Sequence, residues 1–347
     1  MNLDIALYLG QGGITLGAIY ALLALALVLV FAVTRIIFIP QGEIMTFAAL
    51  SLVAIHAGQR PGVVWLVVLL GLAAAALDAA ALLRAGRARH VPRAVATTLA
   101  WPLLALAAVF LLPLQRLPYA AQLLVALLVT VPLGPLLYRL VYQPVAHASV
   151  LTLLLLSVAL HLALTSLGLY LFGPEGARLP PFTDGSFQLA GMPVDNQTLW
   201  IIGLSVVLVA ALAYFFNATL LGKALKATAI SRTGAQLMGI SPAFAGRAAF
   251  TLAAAIGALS GILIASTTII DYESGFVIGL KGFVAAIIGG LSSYPLAAAG
   301  AVFVGLVESF SSFWASEYKD VIVFALILPV LLLRSLSTRR HDEEDEA

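Results

Sequence analysis

Long apolar runs, broken at intervals by short polar segments, set the pattern of this chain. Spanning about 30 Å of hydrocarbon takes about 20 helical residues at about 1.5 Å each. Segments that reach or approach that length lie at 13–34, 44–57, 63–83, 94–114, 120–138, 149–172, 198–217, 248–268, 274–291, 295–314 and 320–334. Two of them are weak. Segment 44–57 is short, and 274–291 is interrupted by Lys281 and several glycines, so either reads as a half-helix or as a full crossing. The pattern predicts an all-α polytopic membrane protein with about ten transmembrane helices, nine to eleven, some discontinuous or re-entrant. These form a single domain over 1–340, and the acidic run HDEEDEA at 341–347 reads as a solvated tail. The first run, about Ile14 to Val33, has no preceding Lys or Arg and exceeds a signal-peptide core, so it is expected to remain as the first helix.

Composition supports the membrane reading. With 62% hydrophobic and 10% charged residues, a soluble domain would lack the polar atoms to cover its surface. The absence of cysteine excludes disulfides, thiolate chemistry and Cys-ligated metals. His56, His90, His147, His161 and His341 are scattered without ligand spacing, so no metal site is expected. Nothing in the charge pattern points to nucleic acid. No catalytic residues are assigned: G-A-L-S-G around Ser260 is not the G-x-S-G of an intramembrane serine protease, and a Ser260–His161 dyad rests on nothing but coexistence.

Basic residues orient the chain, because Lys and Arg are retained on the cytoplasmic side. Arg84, Arg87, Arg89 and Arg93 share one loop, Arg139 lies in a second, and Lys223, Lys226, Arg232 and Arg247 occupy a third. Arg334, Arg339 and Arg340 follow the last span. Alternating the intervening spans places all four segments on one face, the inside, with the C-terminus. Loop 173–197 then falls outside, carrying Glu175, Asp184 and Asp195 against Arg178, and Trp65, Trp200 and Trp314 sit near outer ends of spans. The N-terminal side depends on whether 44–57 crosses.

The inner segment GKALKATAISRTGAQLMGIS at 222–241 is the longest polar stretch between apolar runs that carries several cations. Composition alone is satisfied by an ordinary cytoplasmic loop made basic by topology. Its residue pattern says more. A Gly–Lys–aliphatic–x–Ala–Thr–Ala opening and a Leu–Met–Gly–Ile close resemble the coupling segment of permeases in the high-affinity branched-chain amino acid class of ABC importers. Further blocks match in order: GAIYALLALALVLVFAVTRIIFIPQGEIMTFAAL at 17–50, LVYQPV at 140–145, LYLFGP at 169–174, GLKGFVAAIIGGLSSYPLAAAGAVFVGLVES at 279–309 and SEYKDVIVFALILPVLLLRS at 316–335. The resemblance covers about 17–57 and 136–336 and is thinnest over 58–118. There the Arg-rich RAGRARHVPR and the span after it look like an added hairpin or helix.

The resemblance implies an ABC importer permease architecture in the bacterial inner membrane. It implies that Gly222, Lys223, Ala227, Thr228, Arg232, Leu237, Met238 and Gly239 form a short helical lever received by a groove on a cytosolic ATPase. The chain has no G-x-x-x-x-G-K-[ST] loop, so ATP and Mg²⁺ belong to partners and no cofactor is bound here. The implied partners are two ABC ATPases, a second permease (a different chain or a second copy), a periplasmic solute-binding protein and membrane lipid. The implied cargo is a branched-chain or other aliphatic amino acid, with urea and short amides as alternatives.

Intramembrane polar residues carry the remaining candidates. Gln41, Gly42 and Glu43 after Pro40 read either as a substrate-facing break or as a plain interfacial loop. Related permeases often have Asn–Phe–Ala–His/Gln–Gly–Glu here, where this chain has Ile37–Phe38–Ile39–Pro40–Gln41–Gly42–Glu43. Glu308 lies inside an apolar helix and Lys281 is the cation to set beside it, either in the solute path or as a packing charge. Such charges also suit an ion-coupled secondary transporter or channel, the rival reading. Asp78 is free to pair with Arg84 or another cytoplasmic neighbour, and the GITLG and GFVIG patterns at 13–17 and 275–279 suit close helix packing.

Overall fold

A computed structural model describes residues 3–183, 185–189, 192–291 and 293–332. Arg334, Arg339, Arg340 and the acidic run 341–347 lie outside the described residues, as does Asp184. Helices dominate: α1 (Leu3–Thr34), α2 (Gln41–His56), α3 (Val63–Arg84), α4 (Val91–Leu111), α5 (Tyr119–Thr130), α6 (Leu133–Leu137) and α7 (Val150–Phe172) form the first half. After a hairpin of β1 (Ser186–Leu189) and β2 (Met192–Asp195) come α8 (Asn196–Ala218), α9 (Leu220–Ile230), α10 (Arg232–Leu237), α11 (Pro242–Ile264), α12 (Ser274–Ile288), α13 (Tyr294–Trp314) and α14 (Lys319–Ala325).

Eight helical segments among the described residues are long and apolar enough to span a membrane. They account for eight of the eleven apolar runs. The others, 44–57, 274–291 and 320–334, become the short helices α2, α12 and α14. The fourth of the eight spans, Tyr119–Val145, is interrupted at Pro132 between α5 and α6 and continues through a π turn at Tyr138–Tyr142, as a Pro that removes one ladder hydrogen bond favours. Helix α1 begins ten residues before the apolar run 13–34. Its added turns carry exposed Leu7 and Tyr8, with Asp4 placed favourably at the N-terminus. The outer loop contains the antiparallel β1–β2 pair, which hydropathy alone does not mark.

The core is an α1–α2–α11–α12–α13 bundle wrapped by the others. Central residues of α1 from Ile19 to Val30 are almost fully buried, so this helix is the hub. Gly13 and Gly17 let α13 approach it: a Cβ on Gly17 would lie 2.7 Å from the Val302 Cα, and one on Gly13 2.8 Å from the Leu306 Cα. Those pairings also make α1 antiparallel to α13. On the periphery, α3, α4, α7 and α8 turn leucines and aromatics outward, including Leu69, Leu104, Leu155 and Val207. Trp65, Trp200 and Trp314 are all exposed near span ends. The second Gly pattern also marks a crossing, because Gly275 and Gly279 of α12 pack on Gly42 of α2. A Cβ on Gly42 would overlap the Gly275 carbonyl, and overpacking of this kind costs about 1–3 kcal/mol. Gly42→Ala is expected to lower the thermal midpoint of the detergent-solubilised protein, read by fluorescence size exclusion. An unchanged midpoint would show that the crossing yields.

Candidate functional site

The first polar feature is the start of α2. The chain leaves α1 through Arg35, whose φ of 60° breaks the helix, runs without regular structure as far as Phe38, and turns at Ile39 and Pro40. Phe38 anchors this run, edge-on to Phe250 at 4.7 Å and Tyr142 at 5.9 Å between ring centroids. Gln41 then donates from Nε2 to the Ala253 carbonyl at 2.8 Å. Ala253 lies midway along α11, about 16 Å from its start at about 1.5 Å per residue, so α2 begins deep inside the bundle. Gln41, Gly42 and Glu43 therefore open a helix within the packed bundle and are not a loop at its end.

Glu43 is buried in the first turn of α2 and its Oε1 lies 2.6 Å from the Nδ1 of His161 on α7. Nδ1 and the carboxyl oxygen share one hydrogen bond, and Thr165 Oγ1 lies 3.3 Å from the same nitrogen. The imidazole stacks on Phe276 of α12, centroids 4.2 Å apart. Three elements thus meet at one carboxylate. Gln41 Oε1, Glu43 Oε2 and Thr46 Oγ1 are buried acceptors with no hydrogen-bond partner, which is costly in an apolar surrounding. His161 was not a sequence candidate. The available signal was a lone imidazole in the apolar run 149–172. Ser260 is not its partner, since its hydroxyl donates to the Gly257 carbonyl at 2.7 Å.

The second feature joins the predicted charges. Lys281 Nζ lies 2.5 Å from Glu308 Oε1 and 2.8 Å from Asp320 Oδ1, and Tyr20 donates its hydroxyl to Glu308 Oε2 at 2.6 Å. One cation therefore serves two carboxylates and ties α1, α12, α13 and α14 together. A cavity of about 410 Å³ lined by Gln11, Thr15, Asp195, Glu308, Ser309 and Lys319 opens over Glu308. Asp320 and Tyr20 were not anticipated. Asp78, left unassigned by sequence, pairs with Arg139 and not with Arg84, and also accepts from Thr98 at 3.2 Å.

The third feature is the polar segment. Thr219 caps α9 by accepting from the Gly222 amide at 3.0 Å, and Ser231 caps α10 by accepting from the Gly234 amide at 3.1 Å. Gly222, Leu225 and Thr228 form the buried face of α9, and a Cβ on Gly222 would meet the backbone of Phe216 at 2.7 Å. Ala227 is half-buried. Lys223 and Lys226 point outward, the latter held by Asn217 Oδ1 at 2.7 Å. Leu237 and Met238 are 84% and 82% exposed, and Gly239 turns the chain with φ of 82°. Arg232 is half-buried beside Tyr138, and desolvation pulls its guanidinium below the ordinary value. The eight sequence candidates thus divide: Gly222 and Thr228 fasten the segment to the bundle, while Lys223, Leu237, Met238 and Gly239 face outward.

Residues 102–331 match the family described as branched-chain amino acid transport system / permease component. The chain belongs to this family. The matched region includes the capped segment, Lys281, Glu308 and Asp320 of this permease-family chain, and it begins inside α4. The high-affinity branched-chain amino acid transport system permease protein LivH of Escherichia coli K12 is 26% identical over 342 residues, covering 92% of this chain and 91% of the relative. LivH of Salmonella typhimurium is 30% identical over 226 residues, 62% of this chain and 72% of that one. BraD of Pseudomonas aeruginosa, also a high-affinity branched-chain permease protein, is 26% identical over 216 residues, 60% of this chain and 70% of its own length. No solved structure matches the chain. The family is one of transport-system components, and the spanning helices make this member a multi-pass membrane protein.

Proposed function

We propose that this chain is the membrane-spanning permease subunit of an ATP-driven importer that carries branched-chain or other aliphatic amino acids into the cytoplasm. The family match over 102–331 carries this reading, and the names of the LivH and BraD relatives support the cargo. A binding protein delivers the solute to the outer face, a second permease completes the pathway, and two ATPases hold Mg²⁺-ATP and grip α9–α10. The basic loops face the cytoplasm, the C-terminus with them. Because α1 runs antiparallel to α13, the N-terminus is then outside.

The start of α2 is our candidate for the solute-facing element. Its helix-start amides, the Glu43–His161 contact and three unpaired acceptors lie midway through the bundle, where polar groups are kept for a reason other than stability. Lys281 and Glu308, held by each other and by Asp320 and Tyr20, serve chiefly as the clamp of the outer half. Glu43→Ala is expected to reduce transport about tenfold or more, with assembly intact, as loss of a functional charge contact of about 1.5–3 kcal/mol implies. Unchanged uptake kinetics would remove Glu43 from the pathway.

Proteoliposomes holding the assembled complex test the whole reading. Uptake of labelled leucine that needs ATP and both ATPases supports it. Accumulation by this chain alone under an ion gradient would establish the secondary-transport alternative instead.

A further inference from the structure

The arginines between α3 and α4 are a strongly charged patch that the transport reading does not use. Arg84, Arg87, Arg89 and Arg93 lie within ten residues and all four are exposed. Among the described residues none of them enters an ion pair. Asp78, the acidic residue nearest in sequence, is already committed to Arg139 and Thr98. Arg93 stands in the first turn of α4, where the helix dipole adds to the repulsion among the four cations.

The flanking helices fix where this charge sits. Leu77 and Leu83 on α3 and Leu103 and Leu104 on α4 are turned outward, and only 22% and 17% of the two spans' apolar windows are buried. Leu83 directly precedes Arg84. The guanidinium groups therefore border an exposed apolar surface at the shared end of two spanning helices, where long basic side chains reach headgroup depth. The hairpin packs on α5 and α6, while α9 packs on α8, α1 and α11 and α10 returns to the α5–α6 segment with Arg232 beside Tyr138. What favours lipid over protein as the occupant is the exposed apolar face that continues from the loop along both flanking helices.

We infer that loop 84–93 binds the headgroups of anionic phospholipids and thereby anchors the α3–α4 hairpin to one leaflet. A guanidinium fork matches two phosphate oxygens at once, and clusters of four or more basic residues just beyond a membrane helix draw anionic lipid. The bridge from Arg139 to Asp78 then fastens the lipid-anchored hairpin to the span Tyr119–Val145. Assignment to the inner leaflet rests on the orientation proposed above. The lipid contact does not.

The test uses the chain assembled with its partner subunits in vesicles of phosphatidylcholine with phosphatidylglycerol, extracted gently and weighed by native mass spectrometry. The wild type is expected to retain phosphatidylglycerol over phosphatidylcholine, and R84Q/R87Q/R89Q/R93Q to lose about tenfold or more of that preference. R87Q/R89Q leaves Arg84 and Arg93 to hold the topology and should show an intermediate loss, so it decides the matter if the fourfold variant fails to insert. Equal phosphatidylglycerol retention in wild type and the inserted variants overturns the site. So does release of the lipid by inorganic phosphate at matched concentration, or loss of ATPase co-purification with lipid retention unchanged. An Ala88→Cys label in this cysteine-free chain reads the leaflet separately: reaction only from the outer side would overturn the orientation and leave lipid retention to judge the site.

Discussion

Lys281→Met is expected to destabilise the protein by about 3–5 kcal/mol, because removing one partner of a buried ion pair strands the other in a low-dielectric surrounding. The side chains of Lys281 and Glu308 are 5% and 8% exposed, so water does little to rescue the abandoned carboxylate. Asp320 is 42% exposed and can turn to solvent, which limits the loss to the Glu308 side of the cluster. Adding Glu308→Gln to Lys281→Met should recover most of the deficit, because a neutral amide keeps a hydrogen-bond acceptor for the Tyr20 hydroxyl without the unpaired charge. Thermal midpoints of the two variants in mild detergent check this. A double variant no more stable than the single one would mean that Glu308 is not the source of the penalty.

Leu237→Asp with Met238→Asp is expected to abolish co-purification of the ATPases while leaving the chain inserted and folded. Both side chains project from the C-terminal end of α10 and are more than four-fifths exposed, so they support nothing inside the bundle. Apolar residues presented in this way on the same segment as Lys223 and Arg232 would suit a groove with an apolar floor and acidic rims, and two carboxylates there oppose both parts of that match. The expected loss of association is about a hundredfold or more. Arg232→Glu with Leu237→Asp should give the same outcome, but half-buried Arg232 also lies in a cavity of about 490 Å³ with Tyr138, so that variant carries a folding cost. Full recovery of the ATPases with the Leu237/Met238 variant would refute the docking role of α10.

The fold was legible wherever apolar length or charge economy left one solution. Among the described residues every apolar run became helical, and the two runs marked as half-helices became α2 and α12, because too few residues and a lysine among glycines cannot make an ordinary span. Lys281 was legible as the partner of Glu308, since opposite charges in neighbouring apolar helices have few other options. Tyr20 and Asp320 were not: a tyrosine in an apolar run reads as core, and an aspartate at a helix start reads as a cap. His161 was missed because its meaning depends on α2 starting at the depth of α7's middle, a tertiary fact that periodicity does not encode. The split of 222–241 into two capped helices was carried by Thr219 and Ser231, whose spacing to the amides three residues on is a readable capping signal.

The six residues that join α1 to α2, 35–40, are not helical. Between Arg35 and Gln41 the backbone hydrogen bonds are short-range single ones, such as the Ile39 amide to the Ile37 carbonyl at 3.1 Å and the Gln41 amide to the Phe38 carbonyl at 3.2 Å. A ladder shares its load over many rungs, and this stretch has no such reserve. Its amide protons should therefore trade for deuterium well before those of the flanking α1. Were α2 to turn relative to α1, this stretch would break the fewest hydrogen bonds in following it, with the buried Phe38 ring as the contact that resists.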